Sequence, residues 1–268
     1  MTGFLPGRVL IIAGSDSGGG AGIQADIKAV TMLGGYAATA ITAITVQNTL
    51  GVHDVHPLPL DLIEAQARAV LDDIGADAIK TGMLGSIAVV ERVAAILDTS
   101  DAPAVIDPVM IAKGGAALLA DDAVAAVRSL MVPRAALRTP HAPEAEARAG
   151  GAVADLDGQR RAGEALLALG ARAVLMKGGH VPGTTVIDLL LTSSGETLLE
   201  GERFDTRNTH GTGCTLASAC AAGLAKGLPL EAAVAEAWAY VAEAIRRAPG
   251  LGGGHGPLDH GWPVRGRS

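Results

Sequence analysis

The chain has 268 residues, of which 49% are hydrophobic and 18% charged, with 21 Lys and Arg against 28 Asp and Glu. The net charge of −7 and the few aromatic residues, two each of Trp, Tyr and Phe, argue against a nucleic-acid partner, because nucleic acids attract basic patches and stack their bases on aromatic rings. No apolar run reaches the ~18 residues of a membrane span, so we expect a cytoplasmic globular protein without a membrane partner.

Along the chain, short apolar runs alternate with segments of helical periodicity. Residues 9–12 form the first run, which stops in a glycine-rich segment and continues as a helix. The same reasoning predicts buried strands over residues 78–80, 104–106 and 173–176, and helices over residues 61–75, 86–97, 121–131, 159–169, 212–226 and 230–247. This alternation predicts one α/β domain over residues 1–268, with a mostly parallel central sheet, helices on both faces and a mobile tail from about residue 261.

Two segments depart from this alternation. Residues 36–46 are rich in Thr, Ala and Ile and run into QNTLGVHDV, which predicts a strand, a turn and another short strand. Residues 186–203 contain two apolar runs on either side of Ser194 and Gly195, which is the pattern of a β-hairpin.

Small or polar residues follow each predicted strand. In an open parallel sheet the carboxyl ends of the strands meet at one edge, and ligands bind there. We expect these segments to converge on that edge and to form a pocket; they comprise residues 14–22, 47–49, 81–83, 107–110, 139–144, 177–180 and 208–214.

The glycine-rich segment, residues 14–22, matches neither of two common nucleotide-binding motifs. A P-loop requires Lys at position 20, where Gly20 stands, and the dinucleotide-binding GxGxxG requires Gly at position 23, where Ile23 stands. Two interpretations remain open. The segment is either a flexible loop whose backbone N–H groups approach a ligand, with Asp26 one turn into the following helix, or only a tight connection between a strand and a helix.

The segment NTHGTGC gives the sharpest functional signal. Gly211, Thr212 and Gly213 directly precede an Ala-rich helix, so backbone N–H groups and the positive end of the helix dipole meet at one point, where they stabilise phosphate oxygens or developing negative charge. Cys214 lies in the first helical turn, where we expect a lowered thiol pKa and a candidate general base. The alternative is a small buried side chain after a glycine turn.

Charged residues also follow the predicted strands. Lys177, between the apolar run VLM and two glycines, suits an anionic ligand or is a solvated residue at the rim of the sheet. Asp107 and Glu144 suit Mg²⁺, which favours one or two carboxylates together with substrate phosphate. Each of these carboxylates also fits a helix cap or a turn.

Taken together, these segments resemble one family. The motifs AGSDSGGGAGIQAD, AITVQNTLGV, IKTGML, VIDPVM, TPHAPEAE, VLMKGGH, NTHGTGCTLASA and GHGPLDH occur here in the order found in the hydroxymethylpyrimidine/phosphomethylpyrimidine kinases of thiamine biosynthesis, which belong to the ribokinase-like superfamily. The resemblance extends over residues 9–260 and implies a three-layer ribokinase-like fold. It also implies an enzyme that uses ATP and Mg²⁺ to phosphorylate 4-amino-5-hydroxymethyl-2-methylpyrimidine and then its monophosphate.

The resemblance also implies a role for each candidate residue. On the substrate side, the polar edge of the pyrimidine would meet Gly14, Asp26 and Gln47, and its apolar side would meet Ala21, Met83 and Val109. On the phosphate side, the transferred phosphate and ATP would meet Lys177, Thr212 and Gly213, the anion hole would be the turn from Gly211 to Cys214, and Mg²⁺ would be held at Asp107 and Glu144. Cys214 would replace the Asp that most sugar kinases of the superfamily use as base.

The sequence departs from the family at two places, and it leaves alternatives open. His141 stands where the family usually has Asn, in an element associated with Mg²⁺ and phosphate, and residues 112–119 contain KGGA where relatives commonly carry KSGD. His141 favours a second hypothesis, a non-catalytic protein that binds the pyrimidine. A third is a pyridoxal kinase, because some pyridoxal kinases resemble this family closely. The superfamily also suggests a homodimer.

Overall fold

The computed structural model describes residues 6–109, 123–141 and 153–265. Within these ranges the strands are β1 Arg8–Ala13, β2 Tyr36–Ile41, β3 Ala43–Asn48, β4 Gly51–Pro57, β5 Ala78–Thr81, β6 Ala104–Ile106, β7 Ala135–Arg138, β8 Ala173–Met176, β9 Thr185–Thr192 and β10 Gly195–Glu202. The helices are α1 Gly22–Met32, α2 Leu60–Asp73, α3 Ile87–Leu97, α4 Ala123–Ala126, α5 Leu156–Ala168, α6 Thr212–Ala225, α7 Leu230–Arg246 and α8 Trp262–Arg265. The predictions on Glu144 and on residues 112–119 lie outside the described residues.

One large sheet contains eight strands in the order β10, β9, β8, β7, β6, β5, β1, β2. Strands β2, β1, β5, β6, β7 and β8 pair in parallel, and β9 and β10 add an antiparallel edge. The mostly parallel sheet that the sequence predicts is confirmed. The chain places β2 on one side of β1 and β5 on the other, and such a reversal of strand order opens a crevice at the carboxyl ends of the strands.

Alternating side chains of the buried strands build a core on each face of this sheet. On β1, Leu10 and Ile12 belong to the core that α2, α3 and α5 cover, whereas Val9 and Ile11 belong to the core that α1, α6 and α7 cover. A strand covered on both faces has to be apolar at every position, which explains why residues 9–12 read as a continuous apolar run. The helices on both faces are therefore confirmed. No helix within the described ranges has both the length and the apolar character needed to cross a lipid bilayer.

Strands β3 and β4 form a separate two-stranded ribbon. The chain leaves the large sheet at Thr42, whose backbone N–H donates to the carbonyl of Ala13 (3.0 Å) and whose hydroxyl donates to the carbonyl of Met83 (2.7 Å). The segment predicted as a strand, a turn and a short strand therefore contains three strands, because this anchored break divides its first apolar run. The hairpin predicted over residues 186–203 is confirmed by β9 and β10.

Two helices differ from the sequence prediction. The helix predicted over residues 121–131 is α-helical at Ala123–Ala126 and π-helical at Val127–Met131; there the hydroxyl of Ser129 donates to the carbonyl of Ala125 (3.1 Å), a contact that competes with the backbone ladder. Helix α5 begins earlier than predicted, because Asp155 caps it by accepting a hydrogen bond from the N–H of Gly158 (2.7 Å).

The segment expected to be a mobile tail contains the short helix α8. The ring of Trp262 packs against Tyr240 with a centroid separation of 6.1 Å, and its indole N–H donates to the Tyr240 carbonyl (3.2 Å). The guanidinium of Arg247 lies 5.6 Å from the same indole ring. These contacts attach residues 262–265 to α7.

Candidate active site

The reversal of strand order brings together the loops that follow β1 and β5. A Cβ added to Gly14, after β1, would lie 2.4 Å from Cε of Met83, after β5. Gly22 has a φ of +55°, and its added Cβ would lie 2.6 Å from the Gly14 carbonyl oxygen. Only glycine fits at position 22, whereas a side chain at position 14 would have to displace the end of Met83, so the backbone here is bare and allows close approach by a ligand.

Asp16 orders the glycine-rich loop. Its carboxylate accepts hydrogen bonds from the backbone N–H groups of Gly18 (2.8 Å), Gly20 (3.0 Å) and Ala21 (2.7 Å), and Nε2 of His210 lies 2.8 Å from its Oδ2. Burial raises the pKa of Asp16, but the hydrogen bonds from His210 and the backbone outweigh burial and hold that pKa below its usual value. The loop is therefore an ordered structure around a carboxylate. The sequence analysis did not single out Asp16, although Asp before Ser and Gly is a turn signal.

Gln47 is held at its main chain and at its side chain. Its N–H donates to Oγ of Ser17 (2.8 Å), and the Ser17 hydroxyl donates to the Gln47 carbonyl (2.8 Å). The pairing of β3 with β4 shifts register between Val46 and Gln47, and such irregularities re-aim side chains next to functional sites. The side-chain nitrogen of Gln47 lies 3.3 Å from Nε2 of His210, which brings it close to the turn before α6.

Gly211 begins the turn that precedes α6. Its φ of +82° lies in the left-handed region, and an added Cβ would lie 1.8 Å from the carbonyl oxygen of Gly20, so no other residue fits. Thr212 turns its hydroxyl to the carbonyl of Thr209 (2.8 Å). The N–H of Thr215 donates to the Gly211 carbonyl (2.9 Å), so the amides of residues 213 and 214 precede the intrahelical ladder and point from the positive end of the helix.

Gly213 lies beside a charged cluster. A Cβ added to it would lie 3.1 Å from Nε2 of His141, 3.3 Å from Nζ of Lys177 and 3.6 Å from Oδ2 of Asp107. Lys177 is only 4% exposed and donates to Oδ1 of Asp107 at 3.1 Å. It is therefore a buried cation at the start of α6 and not a solvated residue at the rim, which is the combination that an anion site needs.

Only one of the two carboxylate oxygens of Asp107 accepts hydrogen bonds from the described residues. Oδ1 also accepts from the hydroxyl of Thr139 (3.2 Å), whereas Oδ2 is buried and has no hydrogen-bond partner among the described residues. A buried oxygen of this kind fits a metal ion or a donor on a ligand. Within residues 6–109, 123–141 and 153–265, no three His, Cys, Asp or Glu side chains come together as a metal site. Val109 is half-buried and lines a small cavity next to Asp107.

Asp26 belongs to a buried ion pair that the sequence analysis missed. Both of its carboxylate oxygens lie 2.9 Å from Nζ of Lys80, and Oδ1 also accepts from the hydroxyl of Ser218 on α6 (2.7 Å). Asp26 and Lys80 have no exposed surface. Burial disfavours the charge on Lys80, but the negative groups around it, chiefly the carboxylates of Asp26 and Asp107, together outweigh burial and hold the pKa of Lys80 above its usual value. A direct contact between Asp26 and the substrate stays a prediction.

The expectation of a lowered pKa for the Cys214 thiol is wrong. Burial raises the pKa of Cys214 to about 12, and the carboxylates of Asp26 and Asp107 add to this effect. The charge of Lys80 and a hydrogen bond from the N–H of Gly22 act in the opposite direction without compensating for burial. The thiol is therefore neutral near pH 7 in this structure, although the start of a helix favours a thiolate.

The structure thus brings the candidate residues into two adjoining groups. The substrate-side group contains Gly14, Ala21, Gln47 and Met83, and the phosphate-side group contains Asp107, Lys177, Gly211, Thr212 and Gly213. The turn of residues 210–213 connects them, since His210 lies on Gln47 and Gly213 lies next to Lys177. The convergence of the segments that follow the strands thus places this turn between Gln47 and Lys177; an anion site at the amides of residues 211–213 stays a prediction.

Comparison with known proteins gives consistent matches over nearly the whole chain. Residues 16–259 match the model of a family described as phosphomethylpyrimidine kinase. The chain is 51% identical over 259 residues to a hydroxymethylpyrimidine/phosphomethylpyrimidine kinase of Streptomyces coelicolor, which covers 97% of this chain and 96% of the relative. It is 47% identical over 255 residues to a protein of the same name from Bacillus subtilis, which covers 94% of each chain.

Solved structures of two kinds of kinase share this fold. The pyridoxal kinase of Staphylococcus aureus in complex with ADP gives a TM-score of 0.90 at 37% identity and covers 97% of this chain and 94% of that one. The phosphomethylpyrimidine kinase of Clostridium difficile gives a TM-score of 0.79 at 39% identity and covers 89% of this chain and 99% of that one. Both are ribokinase-like kinases, so the fold that the resemblance implied is confirmed.

Proposed function

This chain belongs to the phosphomethylpyrimidine kinase family, and from this premise we propose that it is a kinase of thiamine biosynthesis. In the proposed reaction, ATP phosphorylates 4-amino-5-hydroxymethyl-2-methylpyrimidine and then its monophosphate, which gives the pyrophosphate. The observation that carries the proposal is the turn of residues 210–213, which contacts Gln47 through His210 at one end and lies beside Lys177 at the other. A ring bound at Gln47 would have its hydroxymethyl group near an anion site, and phosphoryl transfer depends mainly on such positioning.

The substrate-side group offers the contacts that an aminopyrimidine needs. The amide of Gln47 both donates and accepts hydrogen bonds, and Gly14 allows the ring to approach the backbone. Ala21 and Met83 supply apolar surface for the rest of the ring, and Val109, which lines the small cavity next to Asp107, is the third proposed apolar contact. This division of a pocket into a few polar groups and an apolar wall is typical of small-molecule sites.

The phosphate-side group would bind the triphosphate of ATP. Lys177 supplies a positive charge, and the turn from Gly211 to Cys214 supplies the amides of residues 213 and 214 as donors at a helix N-terminus. Relatives in the same fold have been solved with ADP and with the ATP analogue AMP-PCP, which supports ATP as the phosphoryl donor. The spare Oδ2 of Asp107 fits Mg²⁺, with Glu144 as the second proposed ligand. When bound, Mg²⁺ would neutralise charge on the phosphates.

Cys214 is the proposed acceptor of the proton that the hydroxymethyl group loses. Burial raises the pKa of its thiol to about 12, so the thiol has to lose its own proton before it can accept one. Lys80 favours that loss, because its positive charge acts on the sulfur. The proposed role therefore requires a rate that increases with pH.

A second candidate function is the phosphorylation of pyridoxal. Pyridoxal kinases of Staphylococcus aureus and Bacillus subtilis superimpose on this chain with TM-scores of 0.90 and 0.89, above the value of 0.79 for the phosphomethylpyrimidine kinase of Clostridium difficile. The names of the sequence relatives at 47–51% identity favour the pyrimidine. The two activities need the same phosphate-side group and differ in the ring that Gln47 meets.

A substrate panel tests the proposal. ADP release is measured with hydroxymethylpyrimidine, its monophosphate and pyridoxal, each with ATP and saturating Mg²⁺. Turnover of the two pyrimidines supports the proposed function, whereas turnover of pyridoxal alone establishes the second candidate. Binding of the pyrimidine without any ADP release would instead identify a non-catalytic binding protein.

A cytoplasmic homodimer stays a prediction from the superfamily. Sedimentation analysis tests the dimer, and cell fractionation tests the location.

A further inference from the structure

The contact between His210 and Gln47 determines how the Gln47 amide is oriented. The His210 side chain is only 10% exposed, and an added Cβ on Gly20 would lie 2.6 Å from its Cδ2. The backbone N–H of His210 donates to the carbonyl of Gly256 (3.1 Å). Packing and this backbone hydrogen bond therefore fix the position of the His210 ring, independently of the orientation of the Gln47 amide.

Nε2 of His210 carries a proton. It lies 2.8 Å from Oδ2 of Asp16, and an ionised carboxylate only accepts hydrogen bonds. Asp16 is ionised near neutral pH, because its hydrogen bonds hold its pKa below the usual value in spite of burial. His210 must therefore be the donor to Asp16, in its neutral or its charged form.

This proton excludes one of the two orientations of the Gln47 amide. The amide nitrogen of Gln47 lies 3.3 Å from the protonated Nε2, so two donors would face each other there. The oxygen and nitrogen of a glutamine amide have the same shape and are assigned from the hydrogen bonds they make. Exchanging them places the carbonyl oxygen against the N–H of His210, which Gln47 then shares with Asp16.

We infer that His210 is a positioning residue that holds the carbonyl oxygen of Gln47, so that the NH₂ group of the amide is presented to the substrate. The main chain of Gln47 cannot compensate, because Ser17 bonds both its N–H and its carbonyl. The inference rests on the proposed function, which places the substrate ring at Gln47. It selects a ring with a hydrogen-bond acceptor at this point, such as the lone pair of a ring nitrogen, and disfavours a ring that presents an N–H.

Gln47→Glu tests the orientation, because it replaces the NH₂ group by an oxygen of nearly the same shape. It also adds a negative charge, so it is compared with Gln47→Ala, which removes the amide without adding charge. If the NH₂ group of Gln47 faces the substrate, the new carboxylate oxygen of the variant lies against an acceptor of the substrate ring. We then expect kcat/KM to fall at least about 100-fold. Gln47→Ala should lose a similar factor. If the carbonyl oxygen faces the substrate instead, Gln47→Glu keeps that contact, and a kcat/KM within about threefold of the unmodified protein would overturn the inference.

His210→Phe tests the positioning role, because it keeps a ring and removes the donor. We expect the KM for the pyrimidine to rise at least about tenfold and the KM for ATP to change less than about twofold. His210→Gln retains an N–H donor and should restore most of the loss. The matched control is His260→Phe, which removes another buried histidine, bonded to Thr215 on α6 at 2.9 Å. An equal rise in KM for both Phe variants would assign His210 a structural role only.

The outcome separates this inference from the proposed function. Turnover of hydroxymethylpyrimidine by the unmodified protein tests the function alone. If pyridoxal is the substrate instead, the ratio of Gln47→Glu to the unmodified protein is measured with pyridoxal, whose ring nitrogen is also an acceptor. If His210→Phe does not fold, Gln47→Glu still decides the orientation of the amide.

Discussion

Replacing Gly213 by Ala tests the anion site where the structure defines it most closely. The new methyl group would lie 3.3 Å from Nζ of Lys177 and 3.6 Å from Oδ2 of Asp107, in the space from which a phosphate oxygen reaches the ammonium and the amides of the first helical turn. His141, at 3.1 Å from the methyl, has to move slightly. Ala exceeds Gly in helix propensity by about 1 kcal/mol, so the free energy of unfolding should stay the same or rise.

The expected loss of activity from this substitution is large. Gly213→Ala keeps its backbone N–H, but its methyl group would displace the phosphate oxygen from the donors. We therefore expect a loss of the size that follows removal of one donor from an anion hole, about 100-fold or more in kcat or roughly 2.7–4 kcal/mol. The assay is ADP release with saturating pyrimidine and ATP, together with urea unfolding of the same preparation. Gly253→Ala is the matched control, because its methyl meets only Leu50 at 3.7 Å. A Gly213→Ala variant that keeps kcat within about threefold would refute the assignment of the anion site.

Three further predictions concern buried groups. Lys80→Met leaves the Asp26 carboxylate buried without its cation and should lower the free energy of unfolding in urea by about 3–5 kcal/mol. Adding Asp26→Leu should recover most of this stability. A decrease below about 1 kcal/mol for Lys80→Met alone would contradict the ion pair. Burial raises the pKa of Asp188 to about 6, so the folded protein holds this proton more tightly than the unfolded chain, and stability should fall by up to about 3 kcal/mol as the pH rises from about 4 to 6. Unfolding of Asp188→Asn at several pH values should lack that slope. Cys214→Ala should lower kcat at least about tenfold and remove the increase of kcat above pH 7, and an unchanged pH profile would exclude Cys214 as the proton acceptor.

Local patterns were sufficient to predict the α/β class and most of the alternation of strands and helices. The strands at residues 104–106 and 173–176 have the predicted bounds, because a strand buried on both faces is apolar at every position and ends where polar residues begin. The helix of residues 212–225 follows from its Ala-rich sequence and the glycine turn before it. The break at Thr42 was not predictable in this way, since it depends on contacts with Ala13 and Met83, which belong to other strands.

The candidate site was predictable only where its signal is local. The position of the glycine turn before α6 follows from the sequence itself. The partners of Asp26 and Gln47 do not, because Lys80 and His210 are distant in sequence and meet them only through the sheet topology. The pKa of Cys214 shows the same limit: a rule about helix ends is local, whereas burial depends on everything that packs around the sulfur.

The contact between Gly211 and Gly20 restricts how this pocket can be redesigned. A Cβ at position 211 would meet the carbonyl oxygen of Gly20 at 1.8 Å. Two backbone segments from distant parts of the polypeptide therefore pack directly against each other, with no side chain between them. A side chain at either glycine would displace the loop that contains Gly20 and the turn that contains Gly211, and it would therefore impair both ring recognition and catalysis. An enzyme variant that accepts a larger vitamin precursor should therefore carry a smaller side chain at Met83 or Val109 and keep both glycines.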